Sequence, residues 1–340
     1  MTLNILVMGI VSFLLTLVLV LKGGNLAKKL GLMDVPGGRK KHSHPTPLMG
    51  GLTIILIILP LMITYTIMRP SYFQGAIFAI AIVGGLISAL AIVDDRVHIS
   101  PIVRLIISAL FFGVAMVLVP GLQIGAITWA GGTGYISLGH YTIVLTVLAL
   151  IALINAVNMA DGKNGLVTGL CLGFSLILFV SARTDLAPIV AILVGSTLAL
   201  FVFNLSGKIF LGDGGSYGLA AFVGMFAIYI YQRSDILVSA DQVGLMFMIP
   251  VGDMARLMIA RTRAGKSPLE PDRNHLHHLL QEQIGWKCGL LTYWALVFLP
   301  AIVAIAVPTS SWAMIILSFT GYLGVLLYCK RAGSDVFKIA

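Results

Sequence analysis

Apolar residues run in long blocks along this chain, and polar residues collect in short patches between them. A helix of about 20 mostly apolar residues is long enough to cross a bilayer. Eleven blocks approach that length, at roughly 3–21, 50–68, 75–93, 102–119, 142–157, 164–181, 187–204, 216–231, 243–260, 290–307 and 312–329, the fifth and eighth being short. Barrel strands would instead be about ten residues of alternating polarity. The pattern predicts an all-α, polytopic integral membrane bundle of about 11 transmembrane helices, forming a single transmembrane domain over 1–340. The first block lacks a basic leader and a small-x-small cleavage site, so it reads as a retained span with the N-terminus outside.

Composition agrees: 59% of the 340 residues are hydrophobic and 10% charged, against about 25% charged in soluble domains. Water-soluble, disordered and fibrous classes are excluded. The formal charge of +9 would suggest nucleic acid in a soluble protein. Here it reads as loop charge beside anionic membrane lipid, with no nucleic-acid partner. The cysteines Cys171, Cys288 and Cys329 form no CxxC pair. All but three of the 22 Lys and Arg residues fall after odd-numbered spans or at the C-terminus; the exceptions are Arg69, Arg183 and Arg233. The positive-inside rule makes the basic side, with the C-terminus, cytoplasmic.

Most carboxylates and six of the seven histidines share that side, in five polar segments at 22–49, 94–101, 158–163, 205–215 and 261–289. Asp94-Asp95-Arg96 closes the third span; adjacent carboxylates at a membrane boundary need a cation, from Arg96 and Arg104 or from a metal. Asn155 and Asn158 lie on one helix face that ends at Asp161-Gly162, a helix–helix seam or a pocket wall. Phe210-Leu-Gly-Asp213-Gly-Gly-Ser216 opens the eighth span and can offer a carboxylate to metal and N–H groups to phosphate. It lacks the first glycine of the Gly-x-Gly-Asp of intramembrane aspartyl proteases. In the fifth segment, Arg261, Arg263, Arg273, His275, His277 and His278 can clamp pyrophosphate, where a headgroup-binding loop would need only the arginines. Arg39-Lys40-Lys41-His42 and Pro45-Thr46-Pro47, before Gly50-Gly51, read as a shaped loop. Together these are parts for Mg²⁺-dependent chemistry on a phosphorylated substrate. No P-loop occurs, and a secondary transporter would place its polar groups near mid-membrane within internal repeats.

Arg39-Lys40…His42…Pro45-x-Pro47…Gly50-Gly51, Asp94-Asp95, Asn155…Asn158…Asp161-Gly162, Phe210…Gly212-Asp213 and His275-x-His277-His278 resemble, in order, the motifs of the polyprenyl-phosphate N-acetylhexosamine-1-phosphate transferases, of glycosyltransferase 4 type. The resemblance covers residues 34–278 and is closest to the UDP-GlcNAc branch; His275-Leu276 departs from the three consecutive histidines of the muramoyl-pentapeptide branch. It implies transfer of GlcNAc-1-phosphate from a UDP-sugar to undecaprenyl phosphate, with release of UMP. The cofactor implied is Mg²⁺, with Mn²⁺ as a substitute, and the site faces the cytoplasm of a bacterial inner membrane. The implied pathway is O-antigen or related glycan synthesis, and such proteins often form homodimers. Alternative donors are UDP-GalNAc, -FucNAc, -QuiNAc or UDP-MurNAc-pentapeptide.

By the same resemblance, Asp213 is the principal metal ligand, and Asp94 and Asp95 serve the metal and the attacking lipid phosphate. Asn158 and Asp161 line the nucleotide pocket with Lys41, Thr46 and Phe210 nearby, and His277 and His278 contact pyrophosphate or sugar. Asp94, Asp95, Asp161, His277 and His278 form the implied catalytic set; Asn155, Asn164, Arg261, Arg263, Arg273 and His275 join the substrate contacts. One departure stands out: Asn164 occupies the second Asp of the family's Asp-Gly-x-Asp-Gly, which changes the expected contact with uracil.

Overall fold

The computed structural model describes residues 2–36, 44–69, 74–132, 134–233, 236, 239–270 and 272–331. Helix α1 (Thr2–Lys22) and the short α2 (Gly24–Lys29) lead into a two-residue ladder, β1 (Met33–Asp34) with β2 (Thr46–Pro47). The span Gly50–Met68 consists of α3 (Gly50–Thr53), a π-helical turn over Ile54–Ile58, and α4 (Leu59–Met68). Next come α5 (Gln74–Val97), α6 (Pro101–Leu118) and an antiparallel hairpin, β3 (Ala126–Thr128) with β4 (Tyr135–Ser137). The chain continues through α7 (Thr142–Ala160), α8 (Leu166–Ser181), α9 (Ala187–Leu205), α10 (Gly212–Tyr231), α11 (Ala240–Arg263), α12 (Leu276–Ala306) and α13 (Ser311–Arg331).

Every predicted span is an apolar helix. Among the described residues, ten are long and apolar enough to cross a membrane, and Leu166–Ser181 is a shorter eleventh. The fifth and eighth blocks, short by sequence, are helices of 19 and 20 residues. Their polar ends, Asn158 in α7 and Asp213 with Ser216 in α10, bond one another, so the helix need not stop where the apolar run stops. Parts of the polar segments are helical among the described residues. Asp94 and Asp95 are still inside α5, and α12 already begins at Leu276. That helix breaks at Gly285, where φ is 74°.

The chain packs as two compact units, Met1–Ile124 with His140–Arg233, and Gly125–Gly139 with Ser234–Ala340. In the first, α10 is the central helix: its apolar window is wholly buried, and it packs on α3, α5, α7 and α8. In the second, α11, α12 and α13 pack on one another, and Asp241 at the start of α11 accepts the Ala130 N–H from the hairpin.

Lipid tails are as apolar as leucine, so spans are held by close packing and hydrogen bonds rather than by escape from water. Small residues on α10 permit the closeness. A Cβ on Gly50 would lie 2.6 Å from the Gly215 Cα, and one on Gly215 would lie 2.7 Å from the Gly50 Cα. Gly215→Ala should therefore cost about 1–3 kcal/mol through overpacking. Thermal unfolding in detergent checks this, with Gly113→Ala, where a Cβ meets nothing within 4 Å, as the neutral control.

Candidate functional site

The site of the first unit starts from two backbones that run side by side in parallel, with Leu48 bridging Phe210. Phe210 donates its N–H to the Pro47 carbonyl (3.0 Å) and accepts from the Met49 N–H (2.9 Å), and the Gly50 N–H reaches the Leu211 carbonyl (3.1 Å). These bonds hold Thr46 and Phe210 on adjoining segments and aim the chain into α10. Gly212 makes the turn at φ +69°, and a Cβ there would stand 2.9 Å from an Asp95 oxygen. Only glycine suits both the conformation and the space.

Asp95 then caps the helix. Its two oxygens accept the N–H groups of Asp213 (3.0 Å) and Gly214 (3.1 Å). Unpaired N–H groups at a helix start carry partial positive charge, so a carboxylate is the fitting partner. Asp213, thus placed, receives the Asn158 amide on Oδ1 (2.9 Å) and the Arg104 guanidinium on Oδ2 (3.1 Å). The Asn158 amide also bonds the Ser216 hydroxyl at 2.9 Å. The same Arg104 nitrogen makes a close ion pair with the buried Asp94. The backbone turns at His98 (φ 54°), and the Ile99 N–H donates to the other Asp94 oxygen at 2.5 Å. Of the two carboxylates sharing Arg104, Asp213 is the open one, 37% exposed against 8% for Asp94.

Asn155 completes this face of α7: its amide donates to the Ile151 carbonyl (2.8 Å), and its oxygen accepts the Tyr217 hydroxyl (2.8 Å). Asn204 locks the neighbouring turn by accepting the Gly165 N–H (2.8 Å) and donating to the Ile209 carbonyl (3.0 Å). Asn164 lies in that turn beside Gly207. Asp161 closes α7; burial, then the Asp213 and Asp95 charges, push its carboxyl up to about 8. Among the described residues, no three His, Cys, Asp or Glu side chains gather tightly enough to hold a metal by themselves. Asp213 with water and a substrate phosphate suits Mg²⁺, which keeps several waters and takes one or two carboxylates.

Lys41 lies outside the described residues. Arg261, Arg263, Arg273, His275, His277 and His278 belong to the second unit, which has a carboxylate centre of its own. Buried Asp253 accepts Arg256 (2.8 Å) and the Tyr322 hydroxyl (2.9 Å) on one oxygen. Its other oxygen meets His275 Nδ1 (3.0 Å) and the Leu276 N–H (3.1 Å). The His275 ring stacks on His277, centroids 5.6 Å apart, and His277 lies 4.1 Å from His278. Arg261 is buried, bonding Asp272 (2.7 Å) and the Pro268 carbonyl (2.8 Å), so its donors shape the loop. Burial pushes the Asp272 carboxyl up, but Arg261 and the Asn274 N–H outweigh it and hold it below the usual range. Arg263 and Arg273 are exposed.

Sequence reasoning missed Tyr217 and Asp253. For Asp253 a signal existed: a carboxylate inside an apolar span is expensive and so is partnered.

The chain matches the family described as glycosyl transferase family 4 over residues 76–231, the stretch that carries Asp94, Asp95, Arg104, Asn158, Asp161 and Asp213. It is 31% identical to the undecaprenyl-phosphate alpha-N-acetylglucosaminyl 1-phosphate transferase of Escherichia coli O157:H7, over 94% of this chain and 89% of that protein. The protein of the same name from Escherichia coli K12 is 33% identical over 79% and 74%. A probable undecaprenyl-phosphate N-acetylglucosaminyl 1-phosphate transferase of Bacillus subtilis is 28% identical over 93% and 88%. The chain belongs to this family of membrane-embedded phospho-sugar transferases.

Asp253→Ala would leave Arg256 and His275 without their carboxylate, and breaking such a buried pair costs about 3–5 kcal/mol. Arg263→Ala, at an exposed position, should change stability by about 0.5 kcal/mol or less. Denaturation of the two variants in detergent checks the contrast.

Proposed function

We propose that the chain transfers N-acetylglucosamine-1-phosphate from UDP-GlcNAc to undecaprenyl phosphate at the cytoplasmic face of a bacterial inner membrane, starting a cell-surface glycan. The names of its relatives support the substrates. The observation that carries the reading is the half-open Asp213, held by Arg104, Asn158 and the Asp95-capped turn.

The chemistry is a displacement. An oxygen of the lipid phosphate attacks the sugar-bearing phosphorus of the donor. The bond from that phosphorus to the bridging oxygen breaks, and UMP leaves with the electron pair. A phosphate monoester with a second pKa of about 6 is largely dianionic at neutral pH, so little general-base help is needed. The harder task is to bring two anions together. Arg104 supplies protein charge at that point, and Asn158 fixes the Asp213 rotamer. Mg²⁺, held by Asp213 and substrate phosphates, would supply the remaining positive charge to the donor pyrophosphate. Both oxygens of Asp94 and of Asp95 are already engaged, by Arg104 and Ile99 and by Asp213 and Gly214. That supports direct attack over a route through a phosphorylated aspartate.

Asp213→Asn should lower UMP release by at least about 100-fold, the scale for losing a charge-stabilising group, with folding in detergent intact. The assay uses purified protein, undecaprenyl phosphate, Mg²⁺ and a panel of UDP-sugars, with and without EDTA. UMP formed with UDP-GlcNAc and abolished by EDTA is the expected result. Release only from another UDP-sugar moves the specificity, and release unchanged in Asp213→Asn removes Asp213 as the central carboxylate.

A further inference from the structure

Arg104 sits in the first turn of α6, where the positive end of the helix dipole disfavours a cation. Its side chain is long, with rotamer freedom worth about 2 kcal/mol, and near a membrane boundary such a chain tends to reach for water. It nevertheless stays 15% exposed, between Asp94 and Asp213. Besides these two ion pairs, the ring of Tyr217 borders the guanidinium. The Arg104 Cζ lies 4.8 Å from the ring centroid. Tyr217 stands four residues after Asp213, one turn along the same helix, so Arg104 can touch the ring and the carboxylate at once. The ring is fixed at both ends. Its root is in the buried stretch of α10, and its hydroxyl donates to Asn155, whose amide is held in turn by the Ile151 carbonyl.

We propose that Tyr217 is a positioning residue for the transfer: its ring is a shelf that keeps the Arg104 guanidinium shared between Asp94 and Asp213. Asp94 is the more buried partner, 8% exposed against 37% for Asp213, so its attraction for Arg104 is the less screened by water. Without the shelf the guanidinium settles on Asp94 alone, and Asp213 loses the neighbouring cation that meets the substrate phosphates. A cation over a desolvated aromatic face is held more firmly than one at the surface. The Asn155–Tyr217 bond fixes the ring, and the Tyr217 hydroxyl also meets Arg104. The coupling of Tyr217 to Arg104 stands on contacts alone; its effect on turnover rests on the transferase reading.

The test is a cycle of Tyr217→Leu, Arg104→Lys and the double variant, with Tyr217→Phe as the conservative substitution. Tyr217→Leu should lower kcat about 10- to 30-fold, the rate equivalent of a desolvated cation–π contact, with the donor KM changed less than about threefold. Tyr217→Phe keeps the ring and should retain kcat within about threefold of the wild type. In the Arg104→Lys background, Tyr217→Leu should cost less than about threefold more, because contacting residues are non-additive. The same four proteins, unfolded thermally without substrate, read the coupling even where Arg104→Lys has no measurable turnover. Tyr217→Leu should lower the midpoint clearly with Arg104 present, and by less than half as much in the Arg104→Lys background. Equal shifts in the two backgrounds overturn the proposal, as does a Tyr217→Phe protein as slow as Tyr217→Leu. A coupled unfolding cycle in a protein whose wild type releases no UMP would sink the transferase reading and leave the shelf standing.

Discussion

Asp95 turns both carboxylate oxygens onto the N–H groups of Asp213 and Gly214, and the rest of the site depends on that cap. A helix that begins packed inside a protein must find partners for its first N–H groups. Here the partner comes from the end of another span, so one interaction sets both the start of α10 and the register between α5 and α10. Gly212 turns tightly against the same carboxylate, and the Gly50–Gly215 approach brings the preceding loop within bonding distance of Phe210 and Leu211. Close packing and cap therefore support each other, and Asp213 is delivered with its side chain still partly open.

The charges are arranged unevenly. Asp94 and Asp95 are spent on internal partners, and Asp161 is pushed toward its neutral form by burial and its acidic neighbours. Asp213 is 37% exposed and still has bonds that fix its orientation. A site of four carboxylates is thus organised around one, with the other three setting geometry and field. The second unit repeats the logic around a different carboxylate. Asp253, buried, gathers Arg256, Tyr322, His275 and the Leu276 N–H, and so orders the start of the histidine segment.

Much of this was legible in the order of residue types. Apolar blocks reveal spans because a bilayer demands a minimum length, and the eleven helices fall where those blocks lie. Asp94, Asp95, Asn158, Asp161 and Asp213 stand out in the sequence as candidates because carboxylates and amides at span ends are costly unless partnered. What composition and spacing do not carry is direction. That Asp95 faces a helix start, or that Arg104 bridges two carboxylates, depends on which helices touch and how closely their glycines let them approach. Tyr217 was hidden because an aromatic residue in an apolar span reads as core; only its distance to Arg104 separates a shelf from packing. Arg261 shows the converse, a cation in a basic loop that folds inward onto Asp272 and Pro268.

The proposed division of labour between Asp95 as anchor and Asp213 as working carboxylate is tested most directly by anomalous diffraction from crystals grown with Mn²⁺ and UDP-GlcNAc. The predicted result is a manganese peak at the Asp213 carboxylate, with Asp95 still bonded to the Gly214 N–H. A peak bound by Asp95, with that carboxylate swung away from α10, would contradict the account.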